Sequence, residues 1–108
     1  MEILLIDDTV KLRAAIKRCL EILGHTVTTA ATIEEARHIL AERAFDRIIC
    51  DGDVSCEGDG ADFAQQLTAE GRSAVIYTRA PERNARNNVK VVKKGGRTVE
   101  ETVEQLLG

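Results

Sequence analysis

The sequence predicts an α/β fold, a parallel sheet covered by helices on both faces. Two short apolar runs, Ile3-Leu4-Leu5-Ile6 and Ile48-Ile49-Cys50, each end in aspartate, while the segments between such runs repeat apolar residues at three- and four-residue steps. Aromatic residues make up only 3% of a chain that is 44% hydrophobic and contains no Trp. Leu, Ile, Val and Ala must therefore fill the core, which suits helices on a sheet better than an aromatic-rich β-sandwich.

The elements follow in order. Residues 3–6 form the first strand. Over residues 10–23, Leu12, Ile16, Cys19, Leu20 and Leu23 line one helical face, with Lys11, Arg13, Lys17, Arg18 and Glu21 between them. Thr9 or Asp8 can cap this helix, and Gly24 follows where a left-handed residue commonly ends one. Residues 25–30 alternate as a strand. Thr32 and Glu35 make a capping-box signature, opening a helix with Ile33, Ala36, Ile39 and Leu40 inward. Residues 45–51 read as a fully buried strand, and 52–60 as a loop with three glycines. Residues 61–70 are a helix with Phe63, Ala64 and Leu67 inward, ended by Gly71, and 73–78 are the fourth strand. The stretch 79–88, polar and interrupted by Pro81, offers at most a weak helix. Residues 89–92 are a short fifth strand. Thr98 and Glu101 then cap a last helix with Val99, Val103, Leu106 and Leu107 as its stripe.

Composition narrows the class. With 108 residues the chain is expected to form one domain, 1–108, burying roughly two thirds of its unfolded surface. A net charge of −3, from 15 basic and 18 acidic residues mixed along the chain, argues against direct nucleic-acid binding. The basic stretch Arg79, Arg83, Arg86, Lys90, Lys93, Lys94 and Arg97 reads as a solvated face with local ion pairs. Cys19, Cys50 and Cys56 are odd in number and lack metal-type spacing, which points to a reducing, cytoplasmic setting. No apolar run approaches the roughly 20 residues that span a bilayer, and no leader is expected before the first strand.

Right-handed crossovers make the strands of such a chain parallel, and ligands of open α/β sheets bind beyond the strands' carboxyl ends. Asp7, Asp8 and Asp51 emerge at those ends. Three carboxylates at one edge repel one another and form a natural seat for a divalent cation.

In this order and spacing the chain resembles the receiver domain (CheY-like) of two-component response regulators. The resemblance rests on ILLIDD at the first strand, FDRIICD at the third, Asp59-Gly60, VIYT ending at Thr78, and VVKK at the fifth. It implies a flavodoxin-like three-layer sandwich with strand order 2-1-3-4-5, and a phosphoacceptor signalling switch rather than a turnover enzyme. It further implies that Asp51 takes a phosphoryl group from a histidine kinase or histidine phosphotransfer protein. Mg²⁺, or Mn²⁺ in its place, would be held by Asp8 directly, Asp7 through water, Asp51, and Asp53 through its backbone carbonyl. Thr78 matches the switch hydroxyl. Lys93, with Val91 and Val92 before it, matches the phosphoryl-facing lysine in preference to Lys94. The first helix, around Lys11, Ala14, Ala15 and Arg18, is the implied docking face for the donor. A downstream protein target and a phosphorylation-dependent homodimer also belong to the family pattern. The chain's end at Gly108, directly after its last helix, carries the expectation of no attached output domain.

The chain also departs from that pattern. Ser55 replaces a usual proline, the loop before Asp59 is one residue longer, and Asp53 adds a carboxylate that would raise metal affinity. Arg79 follows Thr78 where a small residue is usual. The region 79–88 is about two helical turns short, so the fourth helix is expected to be short or missing. Lys90 stands where an aromatic switch residue is common. Two other readings remain. One is a pseudo-receiver, an interaction module that takes no phosphate. The other is a Mg²⁺-dependent phosphohydrolase with Asp51, Asp53 and Ser55 as a DxDxS motif, disfavoured because no aspartate follows Asp62.

Overall fold

The computed structural model describes residues 1–54 and 56–108; Ser55, the third position of the DxDxS reading, lies outside them. The chain runs β1 (Glu2–Ile6), α1 (Val10–Ile22), β2 (Thr26–Ala30), α2 (Ile33–Glu42), β3 (Arg47–Asp51), α3 (Asp59–Ala69), β4 (Ala74–Thr78), β5 (Lys90–Lys93) and α4 (Val99–Leu107). The five strands form one sheet in the order β2-β1-β3-β4-β5, and every pairing is parallel. This is the flavodoxin-like arrangement.

Alternation along the strands divides the apolar interior between the two faces of the sheet. Ile3, Leu5, Ile49, Val75, Tyr77 and Val92 pack with Ile16 and Leu20 of α1 and Val103 and Leu106 of α4. On the opposite face, Leu4, Ile6, Ile48, Cys50 and Ile76 pack with Ala36 and Leu40 of α2 and Phe63, Ala64 and Leu67 of α3. Both faces are covered, which is why the central strands read as continuous apolar runs rather than as a polar–apolar alternation. A buried leucine such as Leu20 contributes about 2–5 kcal/mol against its alanine replacement.

The helix ends largely obey their local signals. Thr32 Oγ1 accepts from the Glu35 N–H at 3.1 Å. Thr98 and Glu101 form the full reciprocal box, at 3.1 Å in each direction. Gly24, at φ 94°, ends the first helical segment. Leu23, expected on the buried face, is the C-cap and is exposed, because the chain turns outward there. Helix α3 starts at Asp59, two residues before the expected 61: Gly58, at φ 81°, supplies the left-handed turn, and Asp59 and Asp62 suit the helix N-terminus.

Between β4 and β5 the described residues form turns and no helix. The Asn84 N–H bonds the Ala80 carbonyl at 3.1 Å, a single helical turn that goes no further. Val89 is buried ahead of β5, so the strand runs 90–93, one residue later than expected. No helix among the described residues is long and apolar enough to cross a membrane.

Candidate functional site

Because β1 and β3 are parallel neighbours with Ile6 opposite Cys50, the residues that follow this pair meet at one edge. Asp7, Asp8 and Asp51 each present a carboxylate oxygen there, all within 4.8 Å of one another. Asp7 and Asp51 are buried, and Asp8 is exposed. The Thr9 N–H donates to Asp7 Oδ1 at 2.8 Å, and Arg13 Nη1 donates to the Asp7 carbonyl at 2.6 Å. The other oxygen, Asp7 Oδ2, is buried without a hydrogen-bond partner.

Asp51 accepts from the Asp53 N–H at 3.2 Å. Burial pushes its carboxyl above the ordinary range and the charge of Asp7 adds to this, outweighing the opposing pull of the Lys94 ammonium and the Asp53 N–H. Gly60 sets the strand end in place: a Cβ there would lie 1.7 Å from the Asp51 carbonyl oxygen, so α3 can sit this close only with glycine at that position. Neighbouring Cys50 is fully buried and its thiol is pushed up to about 12, first by burial and then by Asp51, which makes it an inert core residue.

The lysine in the cluster is Lys94, which corrects the expectation of Lys93. Strand alternation turns Val92 inward and Lys93 out to solvent, where the Lys93 carbonyl accepts from Arg97. The Lys94 N–H then bonds the Thr78 carbonyl at 2.7 Å as the chain leaves the sheet. Its ammonium lies 3.2 Å from Asp51 Oδ1 and 3.6 Å from Asp7 Oδ2, with the side chain only 9% exposed. The preference for the lysine directly after the two valines fails because Lys94, two positions after Val92, shares its side of the sheet, where its ammonium lies 5.1 Å from the Tyr77 ring centre.

Thr78 is fully buried at the end of β4, next to β3 in the sheet. Its hydroxyl oxygen accepts from the Ala80 N–H at 3.1 Å and from Asn84 Nδ2 at 2.6 Å. The Asp53 carboxylate does not join the acidic trio. It accepts from the Gly58 N–H at 3.0 Å, from Arg83 Nη2 at 3.0 Å and from Asn84 Nδ2 at 3.3 Å. Burial works to raise the Asp53 carboxyl, but those hydrogen bonds and the Arg83 charge hold it below the ordinary range. An added metal-binding carboxylate at Asp53 is therefore corrected: that group is committed to the loop and to the segment after β4.

Sequence reasoning missed two residues. Arg13 looked like any polar position of α1, although it stands one turn after Thr9 and can reach back to the strand end. Asn84 carried no signal, because a stretch read as solvated does not announce a buried amide. The site itself fits a hard divalent cation: the donors are all oxygen, two of the three carboxylates are buried, and Asp7 Oδ2 lacks a hydrogen-bond partner.

A family model described as the response regulator receiver domain matches residues 3–99. The chain belongs to that family. Three solved structures illustrate how far the receiver fold is shared. A response regulator receiver domain protein from Clostridium thermocellum superposes with a TM-score of 0.81 at 24% identity, covering 98% of this chain and 90% of the other. A CheY-like receiver domain from Methylobacillus flagellatus gives 0.81 at 18% identity, covering 99% and 95%. A response regulator protein from Burkholderia pseudomallei, with a phosphorylated aspartic acid, calcium ion and citrate, gives 0.78 at 19% identity, covering 97% of this receiver and 65% of that chain. A comparison with curated proteins finds no match.

Proposed function

We propose that this receiver is a phosphoacceptor switch of a two-component phosphorelay, in which Asp51 takes a phosphoryl group from the phosphohistidine of a histidine kinase or phosphotransfer protein. The observation that carries the reading is the Asp7, Asp8 and Asp51 trio within 4.8 Å, with the Lys94 ammonium 3.2 Å from Asp51. Asp7, Asp8 and Asp51, with the Asp53 carbonyl implied by the family pattern, are the residues that would hold Mg²⁺, or Mn²⁺ in its place. When bound, the cation offsets the negative charge shared by the acceptor carboxylate and the phosphoryl oxygens and orients them for transfer.

In this reading an Asp51 oxygen attacks phosphorus, the phosphorus–nitrogen bond to the donor breaks, and its electron pair returns to the imidazole. Lys94 faces the same carboxylate and stabilises the added charge. The Thr78 O–H donates to a phosphoryl oxygen after transfer. The Thr9 N–H and Arg13 keep Asp7 oriented. Attack requires the ionised carboxylate: burial raises the Asp51 carboxyl in the metal-free protein, and a bound cation would favour its ionised form.

The Burkholderia structure with its phosphorylated aspartic acid supports the reading by analogy of fold. Lys11, Ala14, Ala15 and Arg18 are exposed on α1, as a donor-docking face requires. A cytoplasmic location, a downstream protein target, phosphorylation-dependent dimerisation and the role of switch rather than turnover enzyme belong to the same proposal. The commitment of Asp53 to Arg83 and Asn84 speaks against a phosphohydrolase.

The test is incubation with Mg²⁺ and acetyl phosphate, read by intact mass. A phosphoryl adduct that vanishes in Asp51→Ala supports the switch. An unmodified chain would identify a pseudo-receiver, and steady turnover of a phosphomonoester would identify a hydrolase.

A further inference from the structure

We infer that Asn84 is a positioning residue that latches Thr78 in its resting state, so that phosphoryl acceptance at Asp51 is coupled to release of the segment 79–88. The inference rests on the phosphoacceptor reading and extends it to a residue outside the acidic edge.

Asn84 is fully buried although it lies in a polar, turn-rich segment. Its Nδ2 donates to Thr78 Oγ1 at 2.6 Å and lies 3.3 Å and 3.4 Å from the two oxygens of Asp53. Its own Oδ1 is buried and has no partner. The amide is pressed against the chain that follows Asp51: a Cβ on Gly52 would come within 2.9 Å of Asn84 Cγ and Nδ2, and within 3.1 Å of Thr78 Cβ. Asn84 therefore fills the space between the end of β4 and the loop after β3, and does so only because residue 52 is glycine.

A threonine hydroxyl has two acceptor lone pairs and one proton to donate. Both lone pairs of Thr78 are engaged, by the Ala80 N–H and by Asn84. Swinging this hydroxyl toward a phosphoryl group on Asp51 breaks both bonds. The Asn84 Nδ2 would then keep only the longer contacts to Asp53, beside an oxygen that already lacks a partner, an unfavourable state for a buried amide. The backbone on either side of the amide is tied to the rest of the molecule through its neighbours. Arg83 is paired with Asp53 and Glu57, and Arg86 with Asp62. Movement of Thr78 thus bears on the whole segment that stands between β4 and β5 in place of a helix.

The experiment is calorimetric titration with beryllium fluoride in saturating Mg²⁺, preceded by titration with Mg²⁺ alone. Removing the latch lowers the cost of moving Thr78, so Asn84→Ala is expected to bind beryllium fluoride roughly fivefold to tenfold tighter, the size of one net hydrogen bond. Its affinity for Mg²⁺ alone should match the wild type. In a Thr78→Val background the gain from Asn84→Ala should vanish, because the effect passes through the hydroxyl. Asn84→Leu, which keeps the buried volume and removes the donor, should reproduce the tightening and serves if Asn84→Ala does not fold. Unchanged or weaker beryllium fluoride binding with normal Mg²⁺ affinity overturns the latch, as does a gain that persists without the Thr78 hydroxyl. A wild-type chain that binds Mg²⁺ but no beryllium fluoride removes the phosphoacceptor reading, and the latch with it.

Discussion

The acidic edge and the segment 79–88 lie at the same end of the sheet and handle their charges in opposite ways. At the edge, three carboxylates face one lysine, and Asp7 Oδ2 is left without a hydrogen-bond partner. In the segment after β4, charges are matched: Arg83 with Asp53 and Glu57, Arg86 with Asp62. The contrast shows that counting acids does not locate a cation site. Asp53 is an aspartate like its neighbours, yet its binding capacity is already used within the chain.

The largest expected effect probes the lysine of the acidic edge. Lys94→Met should slow phosphoryl acceptance from acetyl phosphate by about a hundredfold, as loss of a preorganised charge at a reacting oxygen does. Lys93→Met should leave the rate unchanged. Equal effects from both would break the assignment of Lys94 to the edge. Next in size is Gly60→Ala, which drives a methyl group into the Asp51 carbonyl and should cost about 1–3 kcal/mol in a urea melt. A fully tolerated alanine would show that α3 can stand off from β3 without consequence.

A smaller effect sharpens the electrostatic side of the contrast. Asp51 is raised by burial, so its contribution to stability is fully present below about pH 4 and is lost as the pH rises through its native value. Asp51→Asn should therefore raise the melting temperature by a few degrees near about pH 7, and the difference should close on acidification. An advantage that is constant with pH would remove the charge as its cause. The smallest expected effect is that of Asp53→Asn on Mg²⁺ affinity, within about twofold, whereas Asp7→Asn should weaken binding tenfold or more. A large loss in Asp53→Asn would place its carboxylate back among the metal-binding groups.

Helix faces and the acidic trio were legible because they depend on local pattern: apolar runs ending in aspartate, three-to-four-residue periodicity, and threonine caps with glutamate three residues on. The strand order came only with the resemblance to the receiver family. Lys94 was missed because two consecutive valines do not say which of them shares a face with the site; Val91 packs on one side of the sheet and Val92 on the other. Asn84 was missed for a different reason. Its burial is produced by contacts with Gly52, Asp53 and Thr78, residues distant along the chain, and no local rule distinguishes it from solvated Asn87 and Asn88. The early start of α3 follows from the conformation of Gly58, which composition alone does not disclose.

The two apolar layers have no side chain in common, since the strands direct alternate residues to one or the other. The sheet is thus an insulating wall, with α1 and α4 on one side and α2 and α3 on the other. A disturbance at α1 has no loose interior through which to spread, and its direct path to the far side is around the rim, past Asp7, Lys94, Asp51 and Thr78. The polar contacts along that rim are therefore the ones that tie the two halves of the molecule together.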